Sequence, residues 1–572
     1  MSHRPYRPRV FAFLAILLML AGVATPALSA QEASPVAATG EASRSITRAE
    51  FEEQLRQAFS LEEPAARGGT VILGDAFDVG TLNGLLASDA TTLYVTGLIF
   101  ESLVVSSPID GQPAPGLADW WELAADGVTY TFHLNQDATW HDGTDLTAAD
   151  VLFTLDAQIS PDTGSPYGAT IAAVVASYRA IDDDTVEIVA NAPSATFLLD
   201  LYLPIMPKHI WEGVPFAEWN SDPGSTGQDP ARVVGAGPFR FQEWVQGDRV
   251  TLSRNPDYHG TVPAIEEFIL RVLPDETAAV QSLEAGEIDV MPAVPAAEVE
   301  RLTGLDGVDV AVYDTFEFDF YLYNLDVERT TLFQDVRVRR ALYRALDRQA
   351  IDEGIYFGLG EPAVGSQPVL SIAYAPDQME TDNSFDPEAA TALLAEAGWT
   401  DSDGDGVLDK EGQPLAFELL TYSGDQKVQR TATYMQQAWA EIGVEMTPVL
   451  IDLQTLIETV AGERNFEMAM LGFSWDATAN QGAMFACGGG FNVMGYCNPR
   501  YDEMDEQQRY ELDEARRVEL LIAQANIIWA EMPVGIIEFI QGRTGYGAHL
   551  HNFHPNAYAL LWSLPYVWVE GS

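Results

Sequence analysis

Lysine is nearly absent from this 572-residue sequence: Lys208, Lys410 and Lys427 are the three, and arginine supplies the rest of the 30 basic residues. Set against 85 acidic residues, they leave a formal net charge of −55. Nucleic acid and anionic membrane surfaces need a basic footprint, so both are excluded as partners. The arginine bias has two readings, arginine-rich codon usage or a salt-rich or acidic habitat. Cysteine is scarce too, at two residues, and two thiolates alone make a poor metal site. No G-x-S-x-G elbow, H-E-x-x-H pair or phosphate loop occurs, which removes the motif-borne enzyme classes. There is no internal repeat. Apolar residues make up 47% and charged residues 20%, as in an ordinary folded protein, and the length suggests two or three lobes.

The first thirty residues carry an address. Arg4, Arg7 and Arg9 precede an apolar or small run, VFAFLAILLMLAGV (10–23), and then ATPALSA. This is the layout of a secretory signal peptide. The run is too short for an ordinary membrane span, although an uncleaved anchor is the alternative. No cysteine lies near the junction, so no lipid-anchored N-terminus is expected, and no later stretch reaches eighteen apolar residues. Removing residues 1–30 leaves a charge of −58 on an exported chain. In an oxidising exterior Cys487 and Cys497 are expected to pair, closing the Gly-rich loop CGGGFNVMGYC; free thiols are the alternative.

Residues 31–67 read as a linker with one exposed amphipathic helix, opened by a capping box at Thr47 and Glu50. The folded body begins with the strand TVILG (70–74). Helices and strands then alternate. VTYTFHL (128–134) places Val128, Tyr130, Phe132 and Leu134 on one face. Thr147 and Asp150 cap the helix TAADVLFTLDAQ. Asp386, Pro387 and Gly398 bracket the helix PEAATALLAEA, and the strand LAFELLTY (415–422) follows. A helix over 428–442 ends at Gly443, another runs over 513–531, and the last forty residues return to strand. The mixture predicts an α/β fold with mixed sheets.

Several segments, in order, resemble the extracellular solute-binding proteins of the dipeptide, oligopeptide and nickel class of ABC importers. The densest is PGLADWWELAADGVTYTFHLNQDATWHDGTDLTAADVLFTLD (115–156), in which Trp140, His141, Asp142, Gly143, Thr147, Ala148, Asp150 and Val151 match the signature. Asn135 stands where the family commonly has Lys or Arg. VGAGPFRFQEWVQGDRVTLSRNPDYHG (234–260), LEAGEIDVMP (283–292) and FQDVRVRRALYRALDR (333–348) also look like family elements. The resemblance implies a large two-lobed, periplasmic-binding-protein-like fold with an extra domain in lobe I. Lobe I would comprise 68–102, 235–313 and 540–572, the inserted domain 103–234, and lobe II 314–539. Crossovers near 313–324 and 538–540 would form the hinge, and solute would bind between the lobes.

The resemblance also implies a function without covalent chemistry: capture of a di- or oligopeptide, as a monomer, for the permease subunits of an importer. An oligosaccharide is the alternative ligand, a sensor or chaperone a further use of the same fold, and a secreted hydrolase the rival class. In peptide-binding relatives a lobe II aspartate pairs with the ligand ammonium, by charge-assisted hydrogen bonds. FEMAMLGFSWDATAN (466–480) places Asp476 at that position, but the D-Y-x-x-P continuation is replaced by Ala477 to Asn480. Phe473, Trp475, Phe485 and Phe491 flank it and could stack on a ligand or pack in the core. Asn492 would lie in the disulfide loop, Phe77 and Asp78 after the first strand, and Tyr321, Tyr323 and Asn324 at the first crossover. No arginine for a ligand carboxylate can be assigned.

Two further clusters stand out. DSDGDGVLDKEG (401–412) places Asp401, Asp403, Asp405 and Asp409 at positions 1, 3, 5 and 9 of a calcium loop, with Gly406 at 6. Gly412 replaces the bidentate Glu, so structural calcium and a solvated acidic turn both stand. No other cofactor is expected. His549, His551 and His554, like His133 and His141, read as structural.

Overall fold

The computed structural model describes residues 43–571; the expected signal segment and residues 31–42 of the expected linker lie outside them. The described chain divides into two units: a larger one of 43–315, 507–517 and 541–571, and a smaller one of Phe316–Glu506 and Val518–Ile540. The chain passes between them within strand Val308–Tyr323, at Thr315 and Phe316, and returns within strand Val534–Gly547, at Ile540 and Gln541. No helix among the described residues is long and apolar enough to cross a membrane.

Two extensive cores lie among the described residues of the larger unit. Strand Thr70–Asp75 runs parallel to Glu267–Val272, in register from Thr70 opposite Glu267 to Asp75 opposite Val272. Arg249–Arg254 and Phe239–Val245 extend that sheet antiparallel. Val71, Leu73, Phe239, Phe268 and Leu270 bury one face against Trp211 and Trp219. The second core belongs to a five-stranded antiparallel sheet in the order Ser43–Arg44, Ala118–Leu123, Thr129–Leu134, Thr185–Ala190, Val175–Ala180. The alternation of Thr129–Leu134 places Tyr130, Phe132 and Leu134 inside, with Val186, Ile188 and Trp140. Helix Ala148–Ile159 packs on this sheet and carries the expected capping box, with the Thr147 N–H donating to Asp150 Oδ2 at 2.9 Å.

The leader departs from the expectation of an exposed helix on a linker. Helix Arg48–Ala58 does open on the Thr47–Glu50 box, but Phe51 and Leu55 are buried against Ala114. Ser43 and Arg44 pair with Leu123 and Glu122 as an edge strand. Arg48 donates to Glu101 at 2.6 Å, to the Gly116 carbonyl at 2.8 Å and to the Tyr258 hydroxyl at 2.7 Å. Glu101 also meets His259 Nε2 at 3.0 Å. Burial alone would raise the Glu101 carboxyl; the Arg48 guanidinium and His259 outweigh it and hold it down to about 2.

In the smaller unit the strand order is Glu445–Ile451, Ala416–Tyr422, Met468–Ser474, then 316–323 and 534–540. The first two pairings are parallel, and Met468–Ser474 runs antiparallel to 317–323. Gly360–Pro362 adds antiparallel to 538–540. The core gathers Tyr321, Tyr323, Phe333, Leu342, Tyr343, Phe417, Trp439 and Met468. Helix Pro387–Glu396 is punctuated as expected: the Asp386 carboxylate accepts from the Ala389 N–H, and Gly398, at φ +89°, takes the left-handed turn after the end.

Candidate ligand-binding site

Strand Met468–Ser474 delivers the segment expected to meet a ligand. Its partner strand sets Phe318 opposite Phe473 and Glu317 opposite Ser474, and the Trp475 N–H then donates to the Phe316 carbonyl at 3.0 Å. The chain turns there, and the turn is tied down from a second segment. Trp475 Nε1–H and Gln481 Nε2–H both donate to the Ser366 carbonyl, at 3.1 and 2.6 Å. Ser366 Oγ–H returns to Gln481 Oε1 at 2.8 Å, and Gln367 donates to the Ala479 carbonyl at 3.0 Å. Ala479 itself adopts φ +58°, a conformation that costs a non-glycine residue energy unless its surroundings impose it.

The aromatic residues form one contiguous group. Phe318 stacks on Trp475 at 5.0 Å; Phe473 meets Trp475 and Phe491 edge-on, both at 5.4 Å; Phe485 follows at 6.0 Å from Trp475. Trp475 and Phe485 are buried, whereas Phe473 and Phe491 are half-buried and keep ring surface available. Asp476, next in the chain, is exposed. Its Oδ1 accepts from the N–H of Thr478 at 2.8 Å and from the Thr478 hydroxyl, while Oδ2 accepts no hydrogen bond among the described residues. The carboxylate is thereby oriented by one oxygen and open at the other. Cys487 and Cys497 are bonded, and the loop they close carries Phe491.

Three expected contacts are corrected. Tyr323 is fully buried and donates to the Arg339 carbonyl at 3.0 Å. Asn324 is buried, with its amide donating to the Arg464 and Phe466 carbonyls at 3.1 and 2.9 Å. Asn492 sits inside the disulfide loop and donates to the Ala486 and Tyr496 carbonyls at 2.8 and 2.6 Å. All three commit their polar groups to backbone, as buried polar groups must, so none presents a donor to a ligand. Tyr321 is likewise buried in the core.

Phe77, in the larger unit, is exposed. Asp78 beside it is structural: its carboxylate accepts from Trp244 Nε1–H at 3.0 Å and the Gly247 N–H at 2.7 Å.

In the acidic turn, Asp401, Asp403 and Asp405 each offer an oxygen within 4.8 Å of the others. Asp409 is not grouped with them; its carboxylate accepts from the Ser402 N–H at 2.9 Å and from the Ser402 hydroxyl. Asp401 already accepts from the N–H groups of Gly404 and Gly406, at 2.7 and 3.2 Å. The histidines have separate tasks. His551 stacks on Trp568 and His133 on Trp120, both at 3.8 Å, and His549 meets Asp289 at 2.9 Å. His554 packs against Phe59 at 5.5 Å. His141 accepts from the Gly235 N–H at Nδ1 and faces the Gly237 carbonyl with Nε2, which makes it the neutral Nε2–H tautomer; burial pushes it down to about 4.

Residues 112–494 match the profile of the bacterial extracellular solute-binding proteins, family 5, middle region. The chain belongs to that family. As a family 5 solute-binding protein it is a non-enzymatic component of an ABC importer. This solute-binding protein is 28% identical over 444 residues to the oligopeptide-binding protein AppA of Bacillus subtilis, spanning 77% of this chain and 80% of the relative. It is 27% identical over 481 residues to the dipeptide-binding protein of Escherichia coli, spanning 80% and 86%. The structure of B. subtilis AppA in complex with a nonapeptide superposes with a TM-score of 0.71 at 25% identity, over 89% of this chain and 100% of that one. The mixed α/β fold of this solute-binding protein is thus the family's fold.

Ser366, Gln367, Gln481 and Phe318, which fix the turn around Asp476, were not among the residues singled out from sequence. For Ser366 and Gln367 the local signal is the loop composition V-G-S-Q-P at 364–368.

Proposed function

We propose that this protein captures a di- or oligopeptide outside the cytoplasmic membrane and hands it, as a monomer, to the permease subunits of an ABC importer. The observation that carries this reading is Asp476: an exposed carboxylate, oriented through Oδ1 and open at Oδ2, at the end of a half-buried aromatic group. Such a group is suited to a ligand ammonium, by a charge-assisted hydrogen bond. Phe473 and Phe491 offer apolar surface for side chains of variable identity. The two relatives named for oligopeptide and dipeptide support the class. The separate core of the five-stranded sheet supports treating 103–234 as an inserted domain. Export by a cleaved N-terminal signal segment, without a lipid anchor, is part of the same proposal.

The sequence Ala477–Asn480, where peptide binders commonly continue D-Y-x-x-P, favours a second reading: stacking of Phe473 and Phe491 on an oligosaccharide. Calorimetric titration against short peptides, the same peptides N-acetylated, and cello- and xylo-oligomers separates the two. The peptide reading expects binding that acetylation abolishes; binding of sugars alone would overturn it.

A further inference from the structure

Strand 534–540 reads VGIIEFI, an apolar run holding one acid, Glu538. Glu538 is fully buried, and among the described residues neither Oε1 nor Oε2 has a hydrogen-bond partner. The side chain lies against the adjoining strand at Gly360, where a Cβ would stand 2.6 Å from Glu538 Cγ and 2.9 Å from Oε1. Glycine is needed there for that close approach.

The groups facing Glu538 come from each neighbouring element. They are Asp352 from the turn Asp352–Tyr356, Arg348 from helix Arg348–Ile351, Asp319 from strand 316–323 and Glu361 from strand Gly360–Pro362. The phenols of Tyr343 and Tyr356 are coupled to it as well. Three carboxylates thus oppose one cation. That cation is engaged elsewhere through its terminal nitrogens: Arg348 Nη1 donates to the carbonyls of Tyr343 and Leu346 at 3.1 and 3.3 Å, Nη2 to that of Asn383 at 3.2 Å, and the guanidinium lies 4.0 Å over the Tyr343 ring, while its Nε–H makes no hydrogen bond to Glu538 or to any other described residue. Lys427, the other cation of this region, is paired with Asp319, which also accepts from the Tyr356 hydroxyl at 2.6 Å. The Gly360 N–H donates to Asp352 at 3.0 Å rather than to Glu538.

An ionised carboxylate with no donor and no dedicated counter-charge cannot be held in such a place, whereas the neutral acid can. We infer that Glu538 is a proton-binding site: the folded smaller unit carries it as a neutral acid. Loss of that proton loosens the pairing of 360–362 with 538–540, where the chain leaves the unit. Burial, reinforced by Asp352, Asp319 and Glu361 against the pull of Arg348, raises the carboxyl to about 9. Because the folded value is raised, the stabilisation is full below the unfolded value of 4.5 and declines as pH rises through that interval.

The test uses the full mature chain. Infrared difference spectra at pH 7 should contain the carbonyl band of a buried, protonated carboxyl, and Glu538→Gln should remove it. Between pH 5 and 8 the unfolding constant of wild type should rise with pH relative to Glu538→Gln, approaching tenfold per pH unit. Parallel pH profiles, or a spectrum without that band, would overturn the inference. If Glu538→Gln does not fold, Asp352→Asn serves instead. Removing that neighbouring carboxylate should lower the pH at which the wild-type band disappears, and an unmoved midpoint would also overturn the inference.

Discussion

The docked leader offers a prediction whose size follows from the structure. Replacing Glu101 with Gln leaves the buried Arg48 guanidinium with the Tyr258 hydroxyl, the Gly116 carbonyl and the longer pair to Glu52 at 3.3 Å, but without its closest charge partner. The Glu101 carboxyl falls from 4.5 to about 2 in the fold, which at about 1.4 kcal/mol per tenfold is worth about 3 kcal/mol of stability at neutral pH. Removing one partner of a buried pair costs about 3–5 kcal/mol in comparable cases, so the two routes agree. The sign is fixed by the direction of the shift. A depressed carboxyl stabilises fully above its unfolded value of 4.5, and the contribution disappears as pH falls from there toward 2. Urea unfolding should therefore show Glu101→Gln less stable by about 3 kcal/mol at pH 7, with the gap reduced to about half or less at pH 3. The double variant Arg48→Met, Glu101→Gln should recover part of the loss, since the buried guanidinium is removed together with its closest partner and only the partly exposed Glu52 loses a contact. Losses below about 0.5 kcal/mol for the single variant, or a gap that does not depend on pH, would refute the reasoning.

Other expectations follow from the same geometry. Serine at both Cys487 and Cys497 opens a loop with a sequence separation of 10 and should cost about 3 kcal/mol at most by chain entropy. Limited proteolysis should then cut within 488–496 first; resistance there would count against a structural role for the bond. Trp475→Phe should cost only about 1 kcal/mol, because the Ser366 carbonyl keeps the Gln481 N–H and the stack on Phe318 is retained; a loss of several kcal/mol in thermal unfolding would contradict this. Chelator should leave the melting temperature unchanged, since Gly404 and Gly406 N–H groups already hold Asp401 and Ser402 holds Asp409. A rise in melting temperature on adding calcium would show the acidic turn to be a cation site instead.

Much of this fold is legible in the sequence because its signals are local. The alternation of VTYTFHL selects Tyr130, Phe132 and Leu134 for the core, and Asp386, Pro387 and Gly398 delimit a helix by cap chemistry alone. What is not legible depends on pairings across long stretches of chain. The capping box announces helix Arg48–Ala58, yet its burial rests on Arg48 reaching Glu101, 53 residues on, and Tyr258, 210 residues on. Tyr323 and Asn324 have the composition of a binding site but lie in the core, and only the neighbouring carbonyls reveal that their polar groups are already used. Resemblance singles out the segment that carries Asp476; that Ser366 and Gln367 hold its turn is not legible, because they lie more than a hundred residues away.

The central claim is peptide capture through Asp476, and calorimetric titration of wild type and Asp476→Asn with a short unmodified peptide addresses it most directly. A hydrogen bond to a charged group is worth about 1.5–3 kcal/mol. The account therefore predicts peptide binding by wild type that weakens by about ten- to a hundredfold in Asp476→Asn, with the fold unchanged. Equal affinity in the two proteins would remove Asp476 from the site, and no binding of any peptide by wild type would contradict the account.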